Sequence, residues 1–64
     1  MRIYTKHIEI PEKGDIVYDC DNDIKGEITT EEYEVYEVKY ENGDYDEYEF
    51  ERLTWDSRNN WWEI

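Results

Sequence analysis

Apolar and polar side chains alternate over short stretches of this chain, and turn residues punctuate the alternation. Tyr36, Val38 and Tyr40 share one parity, while Glu37, Lys39 and Glu41 share the other. A period of two is the spacing of a strand, whose successive side chains point to opposite faces. The same pattern predicts strands over Ile3 to Ile10, Asp15 to Asp19, Gly26 to Thr29, Tyr33 to Tyr40 and Tyr45 to Phe50, with a short last one from Trp61 to Ile64. Pro11, Gly14, Gly26, Asn42-Gly43 and Asn59-Asn60 separate them. Turn signals at this spacing predict a small all-β sandwich or barrel. The chain shows no internal repeat and no linker.

The register of one hairpin follows from the same parity. A two-residue Asn42-Gly43 loop would pair Tyr40 with Tyr45 and Val38 with Glu47, scattering apolar residues over both faces. A three-residue Glu41-Asn42-Gly43 loop pairs even-numbered residues with even-numbered ones. It gathers Tyr36, Val38, Tyr40, Tyr48 and Phe50 on one face and puts Gly43 at the left-handed position of a G1 bulge. The longer loop is therefore expected, with Tyr36, Val38, Tyr48 and Phe50 buried together. The opposite face then carries Glu37, Lys39 and Glu41 beside Glu47, Glu49 and Glu51. Same-face carboxylates on a strand lie about 6.8 Å apart, twice the rise per residue.

Composition changes how that face is read. The 64 residues hold 19 Asp and Glu against 7 Lys and Arg, a net charge of −12. Residues 31 to 51 alone carry ten acids and one base. Such charge argues for disorder in a chain poor in aromatics. Here seven Tyr, three Trp and one Phe make up 17% of the residues, and their large buried areas make a compact core attainable. A domain of this length still hides only about 60% of the surface its unfolded chain exposes. Solubility asks for a net charge of about 2 to 8, and like charges facing across strands cost stability. The excess has two readings: a solvated outer face that deters aggregation, or a surface selected for contact.

The same numbers exclude several classes. No apolar run approaches the roughly 20 residues of a membrane-spanning helix, and the N-terminus lacks a signal-peptide core. Cys20 is the single cysteine, so no intrachain disulfide forms and a cytoplasmic setting is expected. Direct contact with nucleic acid or with an anionic membrane is disfavoured, because both need Lys and Arg. The partners this charge attracts are a basic protein surface, a basic peptide or a divalent cation.

Gly14-Asp15-Ile16-Val17-Tyr18 resembles the opening strand of the Tudor group of SH3-like small β-barrels, and Gly26-Glu27-Ile28-Thr29 resembles its second strand. Tyr36 to Asp44, running on to Leu53, is similar to that group's third strand, turn, fourth strand and closing 3₁₀ turn. The resemblance covers residues 14–53 and implies that 1–64 form a single, bent, five-stranded barrel. It also implies binding of short peptides, in some members through an aromatic cage around methylated Lys or Arg. Tyr40 matches the cage aromatic at the end of the third strand, and Asp44 the polar residue after it. The loop after the first strand reads Asp19-Cys20-Asp21-Asn22-Asp23 and holds no aromatic, leaving Tyr18 or Tyr45 to complete a cage. Cation–π recognition needs rings on several sides of the ammonium.

Catalytic and metal chemistry find little footing. Asp19, Asp21 and Asp23 have the spacing of the first three ligands of an EF-hand loop. Position six is Ile24 instead of Gly and position twelve is Thr30 instead of Glu, so an acidic turn is expected, without metal or cofactor. His7 and Ser57 are each the only residue of their kind. Acidic neighbours raise the pKa of Cys20, the reverse of an activated thiol. No enzyme is expected.

The tail holds three Trp in eight residues, Trp55, Trp61 and Trp62. Adjacent Trp61 and Trp62 on a strand point to opposite faces, so one plugs the core and the other is available for contact. The leading expectation is a non-enzymatic protein whose Glu37, Glu41, Glu47, Glu49 and Glu51, with Trp61 or Trp62, bind a basic protein surface. In its sharpest form it is a nucleic-acid (DNA) mimic that inhibits a DNA- or RNA-handling protein. In size and charge it is similar to small acidic bacteriophage inhibitors, which act in the host cytoplasm. The alternative is a Tudor-like reader of a basic or methylated peptide.

Overall fold

In the computed structural model the described residues are 10–32 and 35–64. Six strands run in chain order: β1 (Ile16–Asp19), β2 (Ile24–Glu32), β3 (Val35–Tyr40), β4 (Tyr45–Glu49), β5 (Thr54–Asp56) and β6 (Trp61–Glu63). A 3₁₀ turn, Phe50–Arg52, links β4 to β5, and no α-helix occurs among the described residues. The fold is all-β, as the alternation predicts. The expected first strand lies outside the described residues except for Ile10, as do His7 and the start of the strand expected at Tyr33.

The strands form one mixed sheet in the order β4-β3-β2-β1-β6-β5. Every neighbouring pair is antiparallel except β1 and β6, which run parallel. Among the described residues this sheet has six strands where five were expected, and it is open, with β4 and β5 as edges. The strand not foreseen is β5. It pairs with β6 across the Ser57–Asn60 turn, which Asp56 organises by accepting the Arg58 N–H at 2.9 Å and the Asn59 side-chain amide at 2.8 Å. Asn60 closes the turn at φ 60°, a left-handed conformation that Asn tolerates.

One face of the sheet carries the core: Val17, Ile28, Tyr36, Val38, Tyr40, Leu53 and Trp62, with Ile24, Tyr48, Trp55 and Ile64 packed against it. Trp62 is 2% exposed and meets Trp55 edge-on, ring centroids 5.1 Å apart. Its indole N–H donates to Asp15 Oδ2 at 3.0 Å, so the buried donor is satisfied. Gly26 of β2 lies opposite Tyr40 of β3. A Cβ there would stand 2.7 Å from Val38 Cγ1 and 2.9 Å from both the Lys39 carbonyl oxygen and Tyr40 Cδ1. Close backbone approach is what demands glycine at this point.

The β3–β4 hairpin takes the register expected from parity. Tyr36 faces Tyr48, Glu37 faces Glu47 and Val38 faces Asp46. The Tyr40 N–H donates to the Asp44 carbonyl at 2.7 Å, and the Gly43 N–H to the Tyr40 carbonyl at 2.9 Å. Gly43 sits at φ 97°. Phe50 departs from expectation. The strand ends at Glu49, and Phe50 enters the 3₁₀ turn with 41% of its surface exposed. The tighter turn breaks the period of two, and Leu53, 6% exposed, fills the core instead.

Two predictions follow from this packing. Gly26→Ala should lower stability by about 1–3 kcal/mol through overpacking. Gly43→Ala, in open space, should cost only the left-handed strain, about 1 kcal/mol. Urea denaturation should then show a lower midpoint at unchanged slope for both, larger for Gly26. Equal losses would remove the close-approach argument.

The second concerns acid. The Asn59 amide above all, with Glu63 and the backbone N–H groups of Arg58 and Asn59, holds the Asp56 carboxyl below its ordinary value despite partial desolvation. A depressed folded-state pKa contributes stability above the unfolded value of about 3.9, and that stability is lost as pH falls through the folded value. Asp56→Asn should therefore be less stable than wild type at neutral pH and converge with it in strong acid. A gap that stays constant with pH would contradict this.

Candidate functional site

Strand β4 reads Tyr45-Asp46-Glu47-Tyr48-Glu49, and every side chain on it is exposed except the half-buried Tyr48. Glu47 and Glu49 lie on the outer face, where Glu47 stands directly opposite Glu37 of β3. Directly opposed residues in an antiparallel pair have Cβ atoms about 4.5–5.5 Å apart, so these two carboxylates are close neighbours. Glu37 is half-buried and accepts the Thr29 hydroxyl at 3.0 Å. Glu41 folds back on β2, where its carboxylate accepts the Lys25 N–H at 3.4 Å. Glu51 sits on the 3₁₀ turn, off the strand row. The acidic row on the outer face is thus Glu37, Glu47 and Glu49, with Glu41 and Glu51 at its margins.

The other face of β4 is acidic as well. Asp44 is bound to Asn42, whose side-chain oxygen accepts the Asp44 N–H at 2.9 Å and whose amide donates to its carboxylate at 3.1 Å. Asp46 accepts the Glu47 N–H at 3.0 Å and the Tyr48 hydroxyl at 3.2 Å. The Tyr48 and Tyr40 hydroxyls meet at 2.6 Å. Burial, followed by the bond to Tyr40, pushes the Tyr48 phenol well above its usual value. Both rings stay neutral at physiological pH. Asp46 has the parity of Tyr48 in the hairpin register, yet nothing in the sequence marks it as a site residue, whereas Asp44 is expected only as a cage residue. Parity says which face a residue is on, not that β4 is an edge among the described residues.

Between the β1–β2 and β3–β4 turns lies an open groove of about 440 Å³, lined among others by Asp19, Asn22, Tyr40, Asp44, Tyr45 and Asp46. Three of the four candidate cage residues, Tyr40, Asp44 and Tyr45, therefore share one groove. Tyr18 does not join them. It lies on the outer face, stacked on Trp61 at 5.0 Å, and its hydroxyl donates to Asp23 Oδ1 at 2.6 Å. That bond above all, with partial desolvation, pushes the Tyr18 phenol up to about 12. Trp62 is the core plug, while Trp61 is half-buried on the outer face with the Lys25 ammonium 4.8 Å from its ring centre.

Two of the three acids of the β1–β2 turn, Asp19 and Asp23, are spent on local hydrogen bonds. Asp19 accepts the N–H groups of Asp21 and Asn22 and the Asn22 side-chain amide, whereas Asp23 takes the Tyr18 hydroxyl at φ 55°. Among the described residues no three His, Cys, Asp or Glu side chains converge as metal ligands. Cys20 is exposed, and partial desolvation, then Glu63, Asp21 and Asp19, push its thiol up. A raised thiol pKa lowers the fraction of reactive thiolate.

The cations add a further feature. Of the five Lys and Arg among the described residues, three lie over aromatic rings: Lys25 on Trp61, Lys39 on Tyr45 at 5.7 Å and Arg52 on Tyr48 at 5.8 Å. Among the described residues no helix is long and apolar enough to cross a membrane. No family model, curated protein or solved structure matches this chain.

The two tryptophans of β6 should separate on mutation. Trp62→Ala should cost about 3–5 kcal/mol, on the scale of the whole stability of so small a domain, and leave the chain largely unfolded by circular dichroism. Trp61→Ala should keep the strand signal. Two folded variants of equal stability would deny Trp62 its place in the core.

Proposed function

We propose that this protein is a non-enzymatic interaction module whose acidic β3–β4 hairpin binds a basic protein surface, as a nucleic-acid mimic that inhibits a DNA- or RNA-handling protein. The observation that carries this reading is the loading of one exposed strand with acid on both faces: Asp44, Asp46, Glu47 and Glu49. Four carboxylates over residues 44–49, the strand and the residue before it, give roughly one per 5 Å, against one phosphate per 3.4 Å along a single strand of DNA. The carboxylates sit on a hydrogen-bonded ladder, so little ordering is needed on binding. Electrostatic attraction would make the encounter fast and salt-sensitive. Size and charge are similar to those of small acidic bacteriophage inhibitors, and on this reading the site of action is the cytoplasm, the host's if the protein is viral.

A second reading is favoured by the groove that joins Tyr40, Tyr45, Asp44 and Asp19. Aromatic faces beside carboxylates suit a lysine or arginine side chain, methylated or not. Together with the 3₁₀ turn after β4, this supports a Tudor-like reader built on a small SH3-like barrel of which the described sheet is part.

The two readings part on mutation and competition. Charge reversal of Glu37, Glu47 and Glu49 together should slow association with the basic partner and flatten its salt dependence, with reversal of the exposed Glu12 and Asp21 far weaker. DNA or RNA should displace the protein from that partner. Simultaneous binding of nucleic acid and this protein, with binding lost in Tyr40→Ala and Tyr45→Ala, would sink the mimic and favour the reader.

A further inference from the structure

Among the described residues, β4 has a neighbouring strand on one side only. The phase of its ladder follows from two hydrogen bonds. The Tyr40 N–H donates to the Asp44 carbonyl, and the Glu41 N–H donates to the Lys25 carbonyl. Even-numbered residues of β3 therefore address β4, and odd-numbered ones address β2. On β4 the backbone groups of Asp44, Asp46 and Tyr48 turn toward β3, while those of Tyr45, Glu47 and Glu49 turn outward. An outward edge of this kind is a template for another strand. The described residues cover only part of it: the Glu47 N–H donates to Asp46 Oδ1 at 3.0 Å.

We propose that β4 is a docking edge onto which an extended, lysine- or arginine-rich segment of the partner protein adds as a further strand. This rests on the reading of the chain as an acidic interaction protein and specifies how the contact is made. A carbonyl of the incoming segment takes over the Glu47 N–H and frees Asp46 Oδ1 for a basic side chain, while Oδ2 keeps the Tyr48 hydroxyl. Glu47 and Glu49 meet basic residues on the outer face, and Asp44 and Asp46 meet those on the inner face. Backbone hydrogen bonds supply affinity in this mode, and side chains at alternate positions supply specificity. Charge chooses the occupant. A second copy would set Asp46, Glu47 and Glu49 against like charges across the new ladder, which is destabilising. The edge thus excludes its own kind and admits a basic strand.

The probe is a synthetic peptide of repeated Lys-Lys-Thr-Thr, which puts lysine on both faces of an added strand, offered to the full chain at low salt. A control peptide of the same sequence carries N-methyl groups on its backbone amides, keeping every charge while losing the donors a strand needs. The unmodified peptide should slow hydrogen exchange at the Tyr45, Glu47 and Glu49 amides and bind at least about tenfold tighter than the control, the worth of one or two backbone hydrogen bonds. Equal affinities, protection confined to other strands, or no binding at all would overturn the proposal. So would protection of the same amides without peptide in a dimer, which would name a second copy as the occupant. Nucleic-acid competition reads the parent proposal separately. Competition at the partner without amide protection keeps the mimic and removes strand docking, while protection without competition does the reverse.

Discussion

The Glu41-Asn42-Gly43 turn holds the most heavily charged strand of the molecule in one register, and the arrangement of every other part of the hairpin depends on it. The Gly43 N–H bond to the Tyr40 carbonyl and the φ of 97° at Gly43 fix the loop at three residues. A slip by one residue would turn Glu47 and Glu49 toward the core and Tyr48 toward solvent. Buried carboxylates without partners cost several kcal/mol each, so the slipped form is out of reach for a domain of marginal stability. The charge that makes β4 a candidate interaction surface is also what makes its register unambiguous.

A single sheet gives such a chain few ways to build a core. Aromatic side chains carry much of the burden, since Tyr36, Tyr40 and Trp62 are all buried and Tyr48 and Trp55 flank them. Each brings a polar group that must be satisfied. The Tyr40 and Tyr48 hydroxyls satisfy each other, and the Trp62 indole finds Asp15. Polar acceptors at the rim of the core thus let large rings be buried where aliphatic residues are scarce. Asp15 and Asp46 serve the fold in this way and are not surplus charge.

Parity alone made most of the sheet legible: five of the six strands, the hairpin register and the split of Trp61 from Trp62 all follow from a period of two with turn residues between. Three features did not. β5 is three residues long, too short for alternation to register, and only the capping of the Ser57–Asn60 turn by Asp56 reveals it. Phe50 shares the parity of Tyr48, yet the 3₁₀ turn lies outside a period-of-two argument. The third is the edge itself. Whether a strand has one neighbour or two depends on the order of the whole sheet, so parity gives Asp44 and Asp46 the side of Tyr48 without showing that β4 has one neighbour among the described residues.

The cations explain why the edge keeps its charge. Lys39 lies on β3 beside the acidic row, and its ammonium is held 5.7 Å from the centre of the Tyr45 ring. Arg52 lies over Tyr48 and Lys25 over Trp61 in the same way. A cation over a ring keeps much of its hydration and is attracted by about 0.5–1 kcal/mol at exposed sites, comparable with a surface ion pair. Choosing rings over carboxylates therefore costs little in stability. It leaves Glu47 and Glu49 exposed. An edge strand so charged repels its own copies at any register, because both faces carry the same sign. Solubility and recognition then cease to be rival explanations: the carboxylates that prevent self-pairing are the ones a basic segment would meet.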